Sequence, residues 1–300
     1  MTTRTPADLA RDVPGSTAAR AAAVIAGETA PAPVRDAATV LLLRDRPDGR
    51  GPEVHLQRRV ASMAFAAGMT VFPGGGVDPR DADPGSSGDW TGPEPAWWGE
   101  HLADGDEALG RALVCAAVRE TFEECGVLLA GPGPDTVVAD VDDDAWEADR
   151  QALLAREVAL APLLARRGLV LRADLLRPWA RWTTPEVEPR RYDTRFFVAA
   201  LPAGQRSRHV GGESDRSGWS RPADALEAWA AGEVGMLPPT VAALRALLPH
   251  PDVASVLAAP VGVQPVLPRL VPRPDGGVDF LLPGDPGYDE AAPGAGRGRP

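Results

Sequence analysis

Lysine is absent: all 31 basic residues of this 300-residue chain are arginines, against 42 acidic ones, which leaves a formal charge of -11 and an isoelectric point near 4.9. That balance excludes broad attraction to nucleic acid or an anionic membrane, which needs cationic groups in excess over the contact face. A local basic pocket is still compatible with it. The all-arginine usage reads first as coding bias, although a forked guanidinium also suits phosphate oxygens. Cysteine is nearly missing too. Cys115 and Cys125 fall on one predicted helix, where ten residues at 1.5 Å each place them about 15 Å apart, too far for a disulfide. A reducing, cytoplasmic setting is expected. No apolar run approaches the ~20 residues of a membrane span, and the chain opens with Asp8 and Asp12 where a leader would carry basic and then apolar residues. Neither export nor a membrane partner is expected. The four histidines, His55, His101, His209 and His250, are scattered, and no Cys-x-x-Cys occurs, so zinc chemistry is not expected. The run Gly74-Gly75-Gly76 lacks the Gly-Lys-Ser/Thr ending of a phosphate-cradling loop.

What is present is enough apolar material, 44% of residues with 24% charged, to bury a substantial core as one large domain or one domain with an extra lobe. Residues 1–35 read as a partly flexible N-terminal extension rich in Ala, Pro and Thr, with a short helix around 18–26 and Pro31 and Pro33 as punctuation. Residues 37–43 read as a buried strand and 53–59 as a half-exposed one, joined by a hairpin loop at 48–51. Val71-Phe72 leads into Pro73-Gly74-Gly75-Gly76, and residues 78–105 read as a loop-like insertion holding Trp90, Trp97 and Trp98. Val114, Val118, Thr121 and Cys125 recur at helical spacing and predict a helix over 106–125 that Gly126 stops. A second helix is expected over 143–160, strands over 176–182 and 192–200, and a shorter strand at Trp219. Helices follow over 222–231 and 239–248, each with Pro near its start. Residues 251–300 form a C-terminal extension, flexible after Pro283.

Chemistry concentrates in Arg119-Glu120-Thr121-Phe122-Glu123-Glu124-Cys125-Gly126-Val127. Glu120, Glu123 and Glu124 stand at i, i+3 and i+4, which puts three carboxylates on one helix face. Like charges repel, so the cluster costs stability unless cations neutralise it, and hard ions such as Mg2+ or Mn2+ take oxygen ligands and bridge to phosphates. The alternative is a solvated acidic face of no chemical consequence.

Taken with the preceding Phe72-Pro73-Gly74-Gly75, this segment resembles the box of the Nudix hydrolase family. The resemblance implies an α/β fold, an α/β/α sandwich around a mixed sheet, here with an insertion inside the box and additional C-terminal helices. The hydrolase domain would span 36–250. It also implies that Glu120, Glu123 and Glu124 bind metal, with Glu120 and Glu124 the surest ligands. Arg119 would orient a glutamate through a salt bridge, and Gly74 and Gly75 would turn the backbone near the helix and substrate. The match departs from the usual box in two ways. The acidic residue expected eight positions before Arg119 is Arg111, so Glu107 or no residue fills that role, and the glycine-to-arginine spacing is exceeded by roughly 30 residues. The insertion, together with the stretches Arg181–Pro185, Pro189–Phe197 and Glu213–Asp215 with Trp219, is similar to the Nudix-motif-19 subgroup typified by the animal peroxisomal coenzyme A diphosphatase. The end, Gly298-Arg299-Pro300, carries no Ser-Lys-Leu-type address.

Arg190, Arg191 and Arg195 cluster at a strand start, where they would hold substrate phosphates or form structural ion pairs; Arg58 and Arg59 follow the same logic. Glu213, after Gly211-Gly212, is either a general base or metal ligand, or a solvated loop carboxylate. Trp182, Trp97 and Trp98 would stack on an adenine or fill the core. The insertion suits a homodimer interface as readily as a pocket lid. The expected activity is metal-dependent cleavage of a diphosphate linkage, with Glu123, Glu124, Arg119 and Glu213 as catalytic candidates. The substrate is a small-molecule nucleoside diphosphate derivative, coenzyme A or its acyl forms first, and ADP-ribose or a dinucleotide as the alternative. A catalytically silent binding module is the third reading.

Overall fold

The computed structural model describes residues 15–61, 66–82, 90–211 and 214–293. In chain order these form α1 (Gly15–Ile25), β1 (Val34–Asp45), β2 (Pro52–Arg59), β3 (Thr70–Val71), β4 (Gly74–Gly76), a 3-10 turn (Pro79–Asp81), β5 (Trp90–Thr91), α2 (Pro95–Leu102) and α3 (Glu107–Cys125). Then come β6 (Ala130–Gly131), α4 (Asp144–Leu154), α5 (Leu160–Arg166), β7 (Val170–Arg172), a 3-10 turn (Ala173–Leu175), β8 (Arg177–Thr183), β9 (Arg191–Ala200) and β10 (Ser214–Ser220). The chain continues through α6 (Pro222–Ala230), α7 (Pro238–Leu247), α8 (Val253–Leu257), β11 (Pro265–Val266), β12 (Arg269–Pro272) and β13 (Val278–Leu281).

The central sheet is mixed, in the order β10-β2-β1-β9-β8-β11, with β3 added to β2 and β4 to β1. Its axis is the parallel pair β1 and β9, Val34 to Leu43 against Arg191 to Ala200. Side chains alternate across it. Ala38, Val40, Leu42, Phe197 and Ala199 face one layer, made of α2, α3, α4 and α5. Leu41, Leu43, Phe196 and Val198 face the other, made of α6, α7 and α8. The result is a three-layer α/β/α sandwich, as the resemblance implied.

The insertion carries more order than loop composition suggested. Pro95 opens α2 and Gly99 sits within it, and both residues look like helix breakers in isolation. Both positions where α2 crosses α3 exclude a side chain: a Cβ added at Gly99 would lie 2.9 Å from the Asp106 carbonyl at the start of α3, and one added at Gly110 would lie 2.4 Å from the Gly99 nitrogen. Trp98 is wholly buried, its indole donating to the Pro93 carbonyl at 3.1 Å, and Trp97 stacks on His101. Trp182 is buried on the opposite face of the sheet. These tryptophans therefore fill the core.

The single helix expected over 143–160 is two helices. Arg156 takes a left-handed conformation (φ 60), so the chain reverses and α5 folds back on α4. Arg167 pairs with Asp149 at 2.6 Å and covers the Trp146 ring at 4.1 Å, which closes the corner. Helix α1 and the β12-β13 hairpin pack together: Ala21 and Val24 meet Leu270 and Val278 over Val187.

Candidate active site

Helix α3 is built to hold charge in a dry place. Asp106 caps its start by accepting from the Leu109 N–H, and Gly126 ends it in the left-handed region (φ 66). Its Leu113, Val118 and Phe122 are fully buried. Each such side chain contributes about 1.5–3 kcal/mol, which offsets the cost of keeping carboxylates out of water. The last turn is neutralised from outside, with the Arg150 guanidinium donating to the Glu123 carbonyl at 2.7 Å.

The carboxylates are not a solvated face. Side-chain exposure is 7% for Arg119, 12% for Glu120 and 8% for Glu123, which rules out the reading of a surface charge run. Arg119 is the hub. Its Nε and Nη2 grip Asp81 with two bonds of 2.9 Å, its Nη1 donates to Glu120 at 2.7 Å and to Glu123 at 3.2 Å, and its Nη2 also reaches the Gly76 carbonyl at 3.0 Å. Burial works against that charge, but the Asp81 bonds and the Glu120 charge hold the guanidinium above its ordinary pKa. Burial also pushes Glu120 and Glu123 above the usual carboxylate range, with Arg119 only partly opposing it. Glu123 Oε1 is buried with no hydrogen-bond partner among the described residues.

Asp81 replaces the expectation of Glu107 or no residue. Glu107 lies at the exposed start of α3, whereas Asp81 is buried and bonded to Arg119. Its signal was present in the sequence: Asp81 is the sixth residue after Gly75, so the box is regular when counted from its glycine end, and the insertion comes after its acid. Asp78 supports it by capping the Pro79–Asp81 turn and pairing with Arg80.

The glycine strand lies directly on the helix. An added Cβ at Gly75 would stand 2.4 Å from Glu120 Oε1, and one at Gly74 would stand 2.4 Å from Thr39 Oγ1 and 2.5 Å from the Ala38 carbonyl. Gly74 N–H donates to Glu124 Oε2 at 2.8 Å, and Gln57 Nε2 donates to the same oxygen. Gln57 was not anticipated. Strand alternation over 53–59 carried its only signal, since it puts Gln57 and Arg59 on one face and Arg58 on the other.

The structure brings Arg119, Glu120, Glu123, Glu124, Gly74 and Gly75 together, and it engages Arg58, Arg191 and Arg195 with other partners. Arg195 is corrected to a structural role: its side chain is 2% exposed and bonds the Leu102 carbonyl, Asp36 and Asp193, so no soluble phosphate can reach it. Arg191 is likewise committed, tying the Thr184 carbonyl to the Ala32 carbonyl in the segment that precedes β1. Arg58 makes an exposed two-bond pair with Asp215 on the side away from Gln57. Arg190 is exposed at the start of β9. Glu213 lies outside the described residues. Among the described residues no three His, Cys, Asp or Glu side chains are arranged as a ready-made cation cage; Arg119 now lies against Glu120 and Glu123. Among the described residues no helix is long and apolar enough to cross a membrane.

A crystal structure of a NUDIX hydrolase from Alicyclobacillus acidocaldarius matches with a TM-score of 0.63 at 30% identity, covering 77% of this chain and 99% of that one. The chain belongs to the Nudix hydrolase family. Within it, residues 100–247 match the NUDT19 Nudix domain model. The acyl-coenzyme A diphosphatase NUDT19 of Gallus gallus is 27% identical over 85% of this Nudix hydrolase and 80% of the relative. That of Homo sapiens is 28% identical over 81% and 74%.

Proposed function

We propose that this Nudix hydrolase cleaves the diphosphate linkage of coenzyme A or its acyl forms, giving adenosine 3',5'-bisphosphate and phosphopantetheine or acyl-phosphopantetheine, with Mg2+ or Mn2+ held by Glu120 and Glu124 and assisted by Glu123. The observation that carries the chemistry is the cluster itself: the carboxylates of Asp81, Glu120 and Glu123 outnumber the Arg119 guanidinium they share in a buried cluster, and one Glu123 oxygen has no hydrogen-bond partner among the described residues. Burying so much negative charge fits a site completed by a cation. The naming of the relatives as acyl-coenzyme A diphosphatases supports the substrate class.

When bound, a divalent cation there supplies charge to the diphosphate oxygens and acidifies an attacking water. The remaining work falls to side chains. Water adds to one phosphorus, the bridging P–O bond breaks, and the bridging oxygen leaves with the other phosphate. Glu123, whose burial raises its affinity for a proton, is the group we assign to take the proton the water loses. Arg119 holds Glu120 and Glu123 in register, anchored by Asp81. Gly74 and Gly75 keep β4 close enough to fix Glu124 and to leave Glu120 its space. Arg59, on the Gln57 face of β2, is the arginine we assign to substrate oxyanions in place of Arg58. Glu213 stays in the proposal as a second candidate base.

The test is initial-rate hydrolysis of coenzyme A, acetyl-coenzyme A, ADP-ribose and NADH, each with Mg2+, Mn2+ or chelator. Metal-dependent cleavage confined to the two coenzyme A compounds is the expected result. Cleavage of ADP-ribose or NADH in their place overturns the substrate assignment while keeping the reaction.

A further inference from the structure

Gln57 belongs to a different element from the glutamates and reaches them through one contact. It is 3% exposed in the middle of β2, and its Nε2 lies 2.5 Å from Glu124 Oε2. Chemistry fixes which end faces the carboxylate: an ionised carboxylate only accepts hydrogen bonds, so the amide nitrogen must point to it. The amide oxygen is then turned away from Glu124, and it is buried without a hydrogen-bond partner among the described residues. Glu124 Oε2 meanwhile takes a second bond from Gly74 N–H at 2.8 Å. Donors from two separate strands thus converge on one oxygen of one carboxylate, which locates that carboxylate far more tightly than a long side chain would locate itself.

A glutamine that served packing alone would be expected to satisfy both ends of its amide or to be replaced by an apolar side chain of similar shape. Here one end is engaged and the other waits. A buried neutral carbonyl oxygen beside a carboxylate cluster suits the hydration shell of a hard divalent ion, whose waters are strong donors. We propose that Gln57 is a positioning residue for cation binding: its amide N–H fixes Glu124 for a divalent ion, and its amide oxygen accepts a hydrogen bond from a water in that ion's shell. The inference rests on the reading that Glu124 binds the ion.

The experiment is a Mn2+ titration of the full chain without substrate, following the electron paramagnetic resonance signal of free Mn2+, for the wild type, Gln57→Leu, Gln57→Asn and Glu124→Gln, with an unfolding midpoint for each. Gln57→Leu removes both polar ends at similar volume, and Gln57→Asn keeps the amide but falls one methylene short of Glu124. Both are expected to bind Mn2+ roughly 10–100-fold more weakly, with folding intact. Should either variant not fold, the other carries the test. Mn2+ affinity within twofold of wild type in the folded variants, with binding lost in Glu124→Gln, overturns the role of Gln57 and leaves the Glu124 assignment standing. Wild-type Mn2+ affinity in Glu124→Gln overturns both.

Discussion

Asp81→Asn separates the roles of charge and shape at the hub of the site. Asparagine keeps the volume and one acceptor, but it removes the negative charge facing Arg119 and replaces one of the two 2.9 Å bonds with an N–H that repels a guanidinium. Breaking one side of a buried ion pair costs about 3–5 kcal/mol when the survivor is left alone. Arg119 retains Glu120 at 2.7 Å and Glu123 at 3.2 Å, so the expected loss is smaller, about 2–3 kcal/mol, or roughly 4–12 °C in unfolding temperature for a domain of this size. The second consequence is functional. Without Asp81, the guanidinium is drawn further onto Glu120 and Glu123, where it competes with a cation, so the Mn2+ concentration for half-maximal turnover should rise. Urea denaturation gives the first quantity and coenzyme A hydrolysis against Mn2+ the second. Glu107→Gln, at the exposed start of α3, serves as the control and should change neither. Stability within about 0.5 kcal/mol of wild type, the size of an ordinary surface change, together with unaltered Mn2+ dependence, would mean that Asp81 does not hold Arg119 in place.

Three further outcomes follow from distances and burial. Gly75→Ala places a methyl group 2.4 Å from the rest position of Glu120 Oε1, so turnover should fall at least tenfold with little change in the circular dichroism spectrum; unchanged kinetics would mean that Glu120 is not needed where it stands. Gly110→Ala forces α2 and α3 apart at the Gly99 backbone, and chemical denaturation should show a loss of about 1–3 kcal/mol. His55 is buried beside Trp219, and burial, with the nearby Arg44 charge, lowers its pKa from 6.5 to about 4. Between pH 4 and 6.5 the unfolded chain binds the proton and the folded chain does not, so stability should rise with pH across that window and fall as acid is added, by up to ~3 kcal/mol. His55→Phe should flatten that part of the profile, and an unchanged slope would contradict the assignment.

The parts of the fold legible in the sequence are those whose pattern is local. Strand β1 declares itself by its apolar run, β2 by the alternation of its residues, and helix α3 by helical spacing and its Asp106 and Gly126 ends. The parts that were not legible depend on partners far along the chain. Pro95 and Gly99 look like loop residues until Gly110 requires a helix crossing without side chains between them. The break at Arg156 has its reason in the pairing of Arg167 with Asp149 across the corner. Arg195 resembles a phosphate ligand in a run of arginines and aromatics, and its bonds to Asp36 and the Leu102 carbonyl, 159 and 93 residues away, show it to be structural. Asp81 was hidden by the insertion that separates it from Arg119 by 38 residues. At the site, residue type and spacing identified the glutamates; the groups that hold them, Asp81 and Gln57, belong to other elements.

The most direct test of the account compares coenzyme A cleavage by the wild type with Mn2+, the wild type with chelator, and Glu124→Gln with Mn2+, quantifying adenosine 3',5'-bisphosphate by chromatography. Glu124 is held by Gly74 and Gln57 through bonds that a glutamine oxygen can still accept, so the variant should fold. Product is expected only from the wild type with Mn2+, with Glu124→Gln slower by roughly a hundredfold or more. Wild-type rates from a folded Glu124→Gln would contradict this expectation.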